Sequence, residues 1–358
     1  MLFYLSLFIL FIALYKFAER TGSWFLLLIA ILVPTLFEGL RDEVVGEDML
    51  GYGADWFYQM NVKGGIADMF YFAQTPEYGY HLLIYFCKLL LPDIHLYMTA
   101  CALIKVTMVT LTAFKLREQL STTLFMFGYY CFFYVFSFSM MRQGIAVTIC
   151  LYSLTYFLNG DLRRFLITIA IAYFFHNSAI LMLLLIPIYY MRGFRYKYHL
   201  IIGGILIVYF FVEELFELAL MTPLFKSEMA DLYLDSGVPS AKSNILIAAV
   251  FFCYGYYLQR FDEEDNQDNV YLLLMTAAMT LLFLFLASFI EVAFRMSYYM
   301  FITSLLLVLM FIFNAEKYQR PLVLGYISLF LLHFYLSCQH GLAGALNYTS
   351  EILGIGIH

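Results

Sequence analysis

Residues 140–191 read MMRQGIAVTICLYSLTYFLNGDLRRFLITIAIAYFFHNSAILMLLLIPIYYM. Arg142 and Gln143 open an apolar run, and an Asn-Gly-Asp-Leu-Arg-Arg turn at 159–164 closes it. His176, followed by Asn177 and Ser178, interrupts the next run. Apolar stretches of this length read as membrane helices. A charged or ionisable group at membrane depth is costly, so each one is a functional candidate whose partner has to be found.

The rest of the chain supplies more of the same. Its 358 residues are 63% hydrophobic and 20% aromatic, with only 13% charged. Soluble domains are about 45–50% apolar and about 25% charged. The sequence therefore describes an all-α, polytopic integral membrane protein built as one continuous domain over residues 1–358, with no soluble domain. No phosphate-binding glycine-rich loop and no basic patch for nucleic acid is present. The first apolar run has no basic n-region and no small-residue cleavage site, so it reads as a retained span. The six cysteines show no metal-ligand spacing and read as small hydrophobes.

Candidate spans fall at 2–15, 24–40, 96–114, 122–138, 145–158, 200–220, 245–258, 270–290, 296–313 and 321–336. Two segments fit badly. Residues 78–91 are short and carry Lys88, and residues 165–191 are long and broken at His176. With these, roughly ten to twelve helices are expected, some broken or re-entrant. Short basic connections at Lys16/Arg20, Lys115/Arg117, Arg163/Arg164, Arg192/Arg195/Lys197, Arg260 and Lys317/Arg320 orient the chain with these loops in the cytoplasm. Loops near 41–77 and 221–243 then lie outside. The scheme closes if 78–91 does not cross and if 165–191 enters and leaves on the cytoplasmic side. Residues 165–175 make about 16 Å of helix, so a hairpin of partial helices would carry His176 at its tip.

Arg41, Arg142 and Arg295 each abut an apolar run on the side assigned outside, where the positive-inside tendency disfavours arginine. Arg41 sits in a loop with Asp42, Glu43, Glu47, Asp48 and Tyr52. It either grips phosphate oxygens with its planar fork or pairs with Asp42 or Asp48 in a solvated acidic loop. Arg142, beside Gln143, either snorkels to the headgroups or holds an anionic one. Arg295 is followed by Tyr298 and Tyr299. His176, beside Ser178, is either a hydrogen-bonding residue or a base matched to proton transfer near neutral pH. Glu77 is a base, an acceptor for a substrate hydroxyl, or a turn residue. The absence of Glu-x-x-His and Asp-x-Asp argues against zinc and against a metal-dependent sugar-nucleotide mechanism; no metal or cofactor is expected.

Arg41 to Gly46 with Asp48 to Tyr52, then Pro76-Glu77-Tyr78-Gly79-Tyr80, resemble the first half of the EpsG-like family. Arg142-Gln143-Gly144-Ile145-Ala146 and Phe175-His176-Asn177-Ser178-Ala179 resemble its central pair of motifs, and Arg295 to Tyr299 its later Arg-aromatic motif. Glu47 departs from the threonine usual between the glycine and the aspartate. The resemblance implies a Wzy-type polysaccharide repeat-unit polymerase in the bacterial inner membrane, GT-C-like in fold, with its active site on the periplasmic side. It would use undecaprenyl-diphosphate-linked oligosaccharides as donor and acceptor. A chain-length regulator and a flippase are implied as possible partners, besides membrane lipid. On that reading Arg41, Arg142 and Arg295 hold the diphosphate. The base is His176, Asp48 or Glu77, while Gln143, Tyr52, Ser178, Tyr298 and Tyr299 bind substrate. An O-antigen ligase, another lipid-phosphate-dependent glycosyltransferase of the same fold, and a flippase for lipid-linked sugars are the alternatives.

Overall fold

The computed structural model describes residues 1–73, 76–197, 242–261, 267–287, 291–315 and 319–356, with scattered positions between 203 and 214. The span expected at 200–220 and the loop expected at 221–243 lie almost wholly outside the described residues. What is described is helical apart from one short antiparallel pair, Thr349–Ser350 with Ile355–Gly356. Among the described residues six helices are long and apolar enough to cross a membrane: Leu2–Thr21, Ile94–Leu116, Thr122–Ser139, Gln267–Leu286, Val292–Asn314 and Gln319–Gln339. The chain is thus an all-α polytopic membrane protein.

Its described residues form two compact units. The first comprises residues 1–180 and 312–358, the second residues 181–311. The sequence offers no sign of this boundary, because apolar residues run through position 181 without a linker.

In the first unit α1 (Leu2–Thr21) and α2 (Trp24–Gly39) are followed by a π-helical turn, Met49–Gly53, and two short helices, α3 (Ala54–Gln59) and α4 (Ile66–Phe72). Then come α5 (Tyr78–Leu90), α6 (Ile94–Leu116), α7 (Thr122–Tyr129), α8 (Met141–Phe157) and α9 (Leu162–Phe175). The second unit contains α10 (Leu185–Tyr190), α11 (Lys242–Phe261), α12 (Gln267–Leu286) and most of α13 (Glu291–Asn314). The chain returns to the first unit for α14 (Gln319–Gln339).

Several helix starts in the first unit carry side-chain caps. Ser23 accepts from the Leu26 N–H at 3.4 Å, Asp93 from His95 N–H at 2.8 Å, and Asp161 from Arg164 N–H at 3.0 Å. Each satisfies a donor that the first turn leaves open. Between α8 and α9, Gly160 adopts φ 74°, which the Asn-Gly-Asp turn needs and which few other residues tolerate.

Several helices are shorter than the bilayer. α2 has 16 residues, α8 has 17 and α9 has 14, about 21–26 Å at 1.5 Å per residue. α5 has 13 residues, about 20 Å, against about 30 Å of hydrocarbon. The run from Thr122 does not stay regular either. It passes through a π turn, Tyr130–Tyr134, and a 3-10 turn, Phe136–Ser139, before α8 begins. Such breaks persist where neighbouring protein satisfies the freed backbone.

The alternation of helix directions sorts charge to opposite ends of the unit. At one end Thr122 receives Lys16 and bonds to Glu19, and Lys115 lies over the rings of Tyr152 and Tyr156 at 4.4 and 3.9 Å. At the other, Arg142 opens α8 and His176 ends α9. Because α8 and α9 form an antiparallel hairpin around the 159–161 turn, these two residues return to the same level. Arg142 stands 14 residues from Tyr156, about 21 Å along α8.

Close approach and buried charge hold that upper end together. Any Cβ on Gly39 would run into Thr99 on α6, a small-residue contact of the kind membrane helices favour. Lys105 on α6 is buried and pairs with Glu38 on α2, and its ammonium also donates to Ser137 O at 2.8 Å. A buried ion pair broken on one side costs about 3–5 kcal/mol, whereas apolar replacement of both partners is often neutral. Lys105→Met is therefore expected to lower thermal stability in detergent strongly, and Glu38→Leu combined with Lys105→Met to recover most of it. A single variant as stable as wild type would show that this pair contributes nothing.

Candidate active site

Glu77 is the hub of the site. It precedes α5, outside the six long spans, and its side chain is only 3% exposed. One carboxylate oxygen pairs with the Arg142 guanidinium, and the other pairs with His176 Nδ1. The second oxygen also accepts the Asn177 N–H at 3.3 Å. Burial alone would push the Glu77 carboxyl up. The charges of His176 and Arg142 and the hydrogen bonds from His176 and Asn177 outweigh it, bringing it down to about 2. Glu77 is thus a fixed carboxylate that orients two neighbours, and neither oxygen is left open to act as the acceptor base the sequence had allowed.

The meeting of residues 99 positions apart has a local cause. Gly79, two residues after Glu77, lies against the last turn of α9. A Cβ there would come 2.8 Å from Phe174 O, so only glycine lets α5 approach closely enough for Glu77 to reach His176. At His176 itself the helix stops: its backbone is extended, φ −157° and ψ 125°, and a 3-10 segment, Asn177–Leu184, follows. The break that the sequence places at His176 is present.

Arg142 rests on an aromatic floor. Its guanidinium carbon is 4.4 Å from the Tyr52 ring centre and 4.8 Å from that of Trp56. Tyr52 and Trp56 are one helical turn apart and share a face; their rings lie 4.9 Å from each other. Trp56 in turn packs on His81 at 4.9 Å. The Tyr52 hydroxyl bonds to Asp48, so Asp48 sets the pose of this floor. Trp56 and His81 were missed from the sequence. Their signal was the four-residue spacing from Tyr52 to Trp56 and from Glu77 to His81, which puts each pair on one face.

Arg142 is 13% exposed and His176 22%, enough to face a ligand. Two polar atoms beside them, Arg142 Nε and Asn177 Oδ1, are buried without a hydrogen-bond partner among the described residues. Gln143, next in α8, is buried, and Ser178 is half-buried.

The surroundings of Arg41 are unlike those of Arg142. It is fully buried and pairs with neither Asp42 nor Asp48. Its Nε donates to Val45 O at 3.0 Å, and its two terminal nitrogens donate to Glu38 O at 2.6 Å and Phe138 O at 3.0 Å. With the Phe138 ring 5.0 Å away, the guanidinium is enclosed by backbone carbonyls and presents no fork to a diphosphate. It ties the loop after α2 to the irregular turn before Arg142. Gly46, at φ 102°, passes within 2.8 Å of Phe138 O as measured from an added Cβ, and Ser139 accepts the Glu47 N–H at 3.0 Å. Residues 341–350 close over the same loop: Asp42 N–H donates to Thr349 O at 2.9 Å, and Tyr348 stacks on Phe37 at 4.2 Å.

The sequence model of the EpsG family matches residues 24–350. The chain belongs to the EpsG family. That family is associated with polysaccharide-polymerase-like membrane proteins. Comparison with curated proteins and with solved structures gave no match. The EpsG match takes in every residue of the Glu77 cluster and also Arg295, Tyr298 and Tyr299. These last three lie on α13 in the second unit: Arg295 is half-buried and both tyrosines are buried. The EpsG chain therefore gathers Glu77, Arg142, His176, Tyr52 and Asp48 in one place within the first unit, and it encloses Arg41 in carbonyls beside them. The loop expected at 221–243 lies, apart from its last two residues, outside the described residues.

Proposed function

We propose that this protein is a Wzy-type polymerase that joins undecaprenyl-diphosphate-linked oligosaccharide repeat units at the outer face of the bacterial inner membrane. The observation that carries the reading is the Arg142–Glu77–His176 cluster, in which one buried carboxylate pairs with a cation and an imidazole that are both partly exposed.

The chemistry is a glycosyl transfer. A hydroxyl at the non-reducing end of an incoming lipid-linked repeat attacks the anomeric carbon of the growing glycan. A new C–O bond forms while the bond from that carbon to the diphosphate oxygen breaks, and undecaprenyl diphosphate departs with the electron pair. The acceptor proton goes to His176. With Nδ1–H donated to Glu77, His176 Nε2 carries the lone pair that takes it, the division of labour by which a carboxylate orients a catalytic imidazole. Arg142 stabilises the charge that develops on the departing diphosphate, an electrostatic contribution placed at the leaving group. Sugars present hydroxyls and apolar ring faces, which suit Asn177 Oδ1 and the rings of Tyr52 and Trp56. The outward orientation is supported by the gathering of Lys16, Lys115 and Arg164 at the end remote from Glu77, under the positive-inside tendency.

Purified protein in lipid nanodiscs, given undecaprenyl-diphosphate-linked repeat units without nucleotide or ATP, is expected to yield a ladder of oligomers and free undecaprenyl diphosphate. Lipid movement across a sealed vesicle with no ladder would replace this reading with a flippase. Transfer to a lipid A–core acceptor with no ladder would replace it with a ligase.

A further inference from the structure

A groove of about 610 Å³ runs between α5 and α9, lined by Gly79, Leu82, Phe86, Ile167, Ile171 and Phe174 among a wholly apolar set. We infer that this groove seats the isoprenoid tail of the lipid diphosphate whose head meets Arg142. The inference rests on the proposed polymerase reading and adds to it a particular path for one lipid.

Three observations support this occupant. First, the groove is continuous with the site. Gly79 follows Glu77 by two residues, and Phe175, also in its wall, immediately precedes His176. A chain lying in the groove therefore brings its head to the Glu77–Arg142–His176 cluster. Second, α5 and α9 are in close contact at Gly79, where an added Cβ would meet Phe174 O, and the groove lies between the same two helices. Third, the wall contains no polar side chain, and Arg142 pairs with Glu77, two residues before the groove's Gly79. A wholly apolar groove whose Gly79 end adjoins the Arg142–Glu77 pair matches a lipid with one tail joined directly to a diphosphate. A phospholipid would need room for two chains and a glycerol. Phe86, Ile167, Ile171 and Phe174 are about half exposed, 48–52%, so the groove is open along its side and a lipid can enter laterally, without threading.

Two measurements on the full chain in nanodiscs test this. A farnesyl diphosphate analogue carrying a photoreactive diazirine near the end of its tail is expected to label peptides containing residues 82–86 and 167–171. Excess undecaprenyl diphosphate should suppress the labelling, and excess phosphatidylglycerol should not. Labelling elsewhere, or equal suppression by phosphatidylglycerol, would overturn the assignment. The second measurement uses Ala170→Trp, which fills the groove from a position already exposed to lipid. It is expected to raise the KM for undecaprenyl-linked repeat units over that for geranyl-linked ones by about tenfold, since the loss of a few buried methylene contacts has that size. An unchanged KM ratio would remove the groove from substrate binding. The two readings fail separately. Groove labelling without any ladder would leave the lipid seat standing and reject polymerisation, whereas a ladder without groove labelling would do the reverse.

Discussion

Replacement of His176 by alanine is expected to lower kcat for ladder formation by about 10²–10⁴-fold, the usual contribution of a positioned general base, with KM little changed. The imidazole is held by Glu77 and by the end of α9, so its removal deletes a proton acceptor and leaves the binding surfaces in place. Glu77→Gln should fall between the variant and wild type. An amide keeps the shape but no longer selects the His176 tautomer, and it leaves the Arg142 charge without its partner. The pH dependence separates the two residues. Glu77 is held down to about 2 against an ordinary value of 4.5. A carboxylate depressed in this way contributes stability that is present above pH 4.5 and is lost as pH falls through about 2. Loss of wild-type activity between pH 5 and pH 7 therefore does not come from protonating Glu77. The initial rate of ladder formation across this range, for wild type and Glu77→Gln, is the measurement. His176→Ala with wild-type turnover would exclude the imidazole as base and send the search to another acceptor.

Arg142→Ala is expected to reduce kcat by about 10²–10³-fold, the cost of removing one preorganised group that meets developing negative charge. Arg142→Lys should restore little of it. The guanidinium is planar, lies over two rings at 4.4 and 4.8 Å and pairs with Glu77 at the same time. An ammonium cannot stack in that way and donate in a fork as well. Trp56→Leu, which removes half of the aromatic floor, should weaken the site less, by about 0.5–2 kcal/mol, read as a fall in kcat/KM. A wild-type unfolding temperature in detergent for Arg142→Ala, alongside the lost turnover, would place the effect in the chemistry. Retained ladder formation in Arg142→Ala would eliminate the proposed leaving-group role.

Arg41 shows why charge and position in the chain are not enough to assign a task. Arg41 and Arg142 both stand at the end of an apolar run, both near glycine and aromatic residues. One is enclosed by three carbonyls and the other lies on an aromatic floor and shares a carboxylate with a partly exposed histidine. The difference comes from Phe138 and Val45 on one side and Tyr52, Trp56 and Glu77 on the other. Helical spacing pairs Tyr52 with Trp56, but which arginine each group meets does not follow from periodicity, because the meeting depends on how loops and an irregular turn fold. Glu77 likewise had several readings in the sequence, and its pairing with His176 depends on one close approach at Gly79.

The sequence by itself determined that the chain is a helical membrane protein and that a helix breaks at His176. It also pointed to arginine, glutamate and histidine as the residues carrying chemistry. These follow from composition, from the length of apolar runs and from the cost of polar groups in hydrocarbon, all of which are local properties. Only the tertiary structure decided which arginine is enclosed by backbone carbonyls and which carboxylate pairs with the histidine. Those outcomes depend on burial and on contacts between distant helices, and they are set by where α5, α8 and α9 meet.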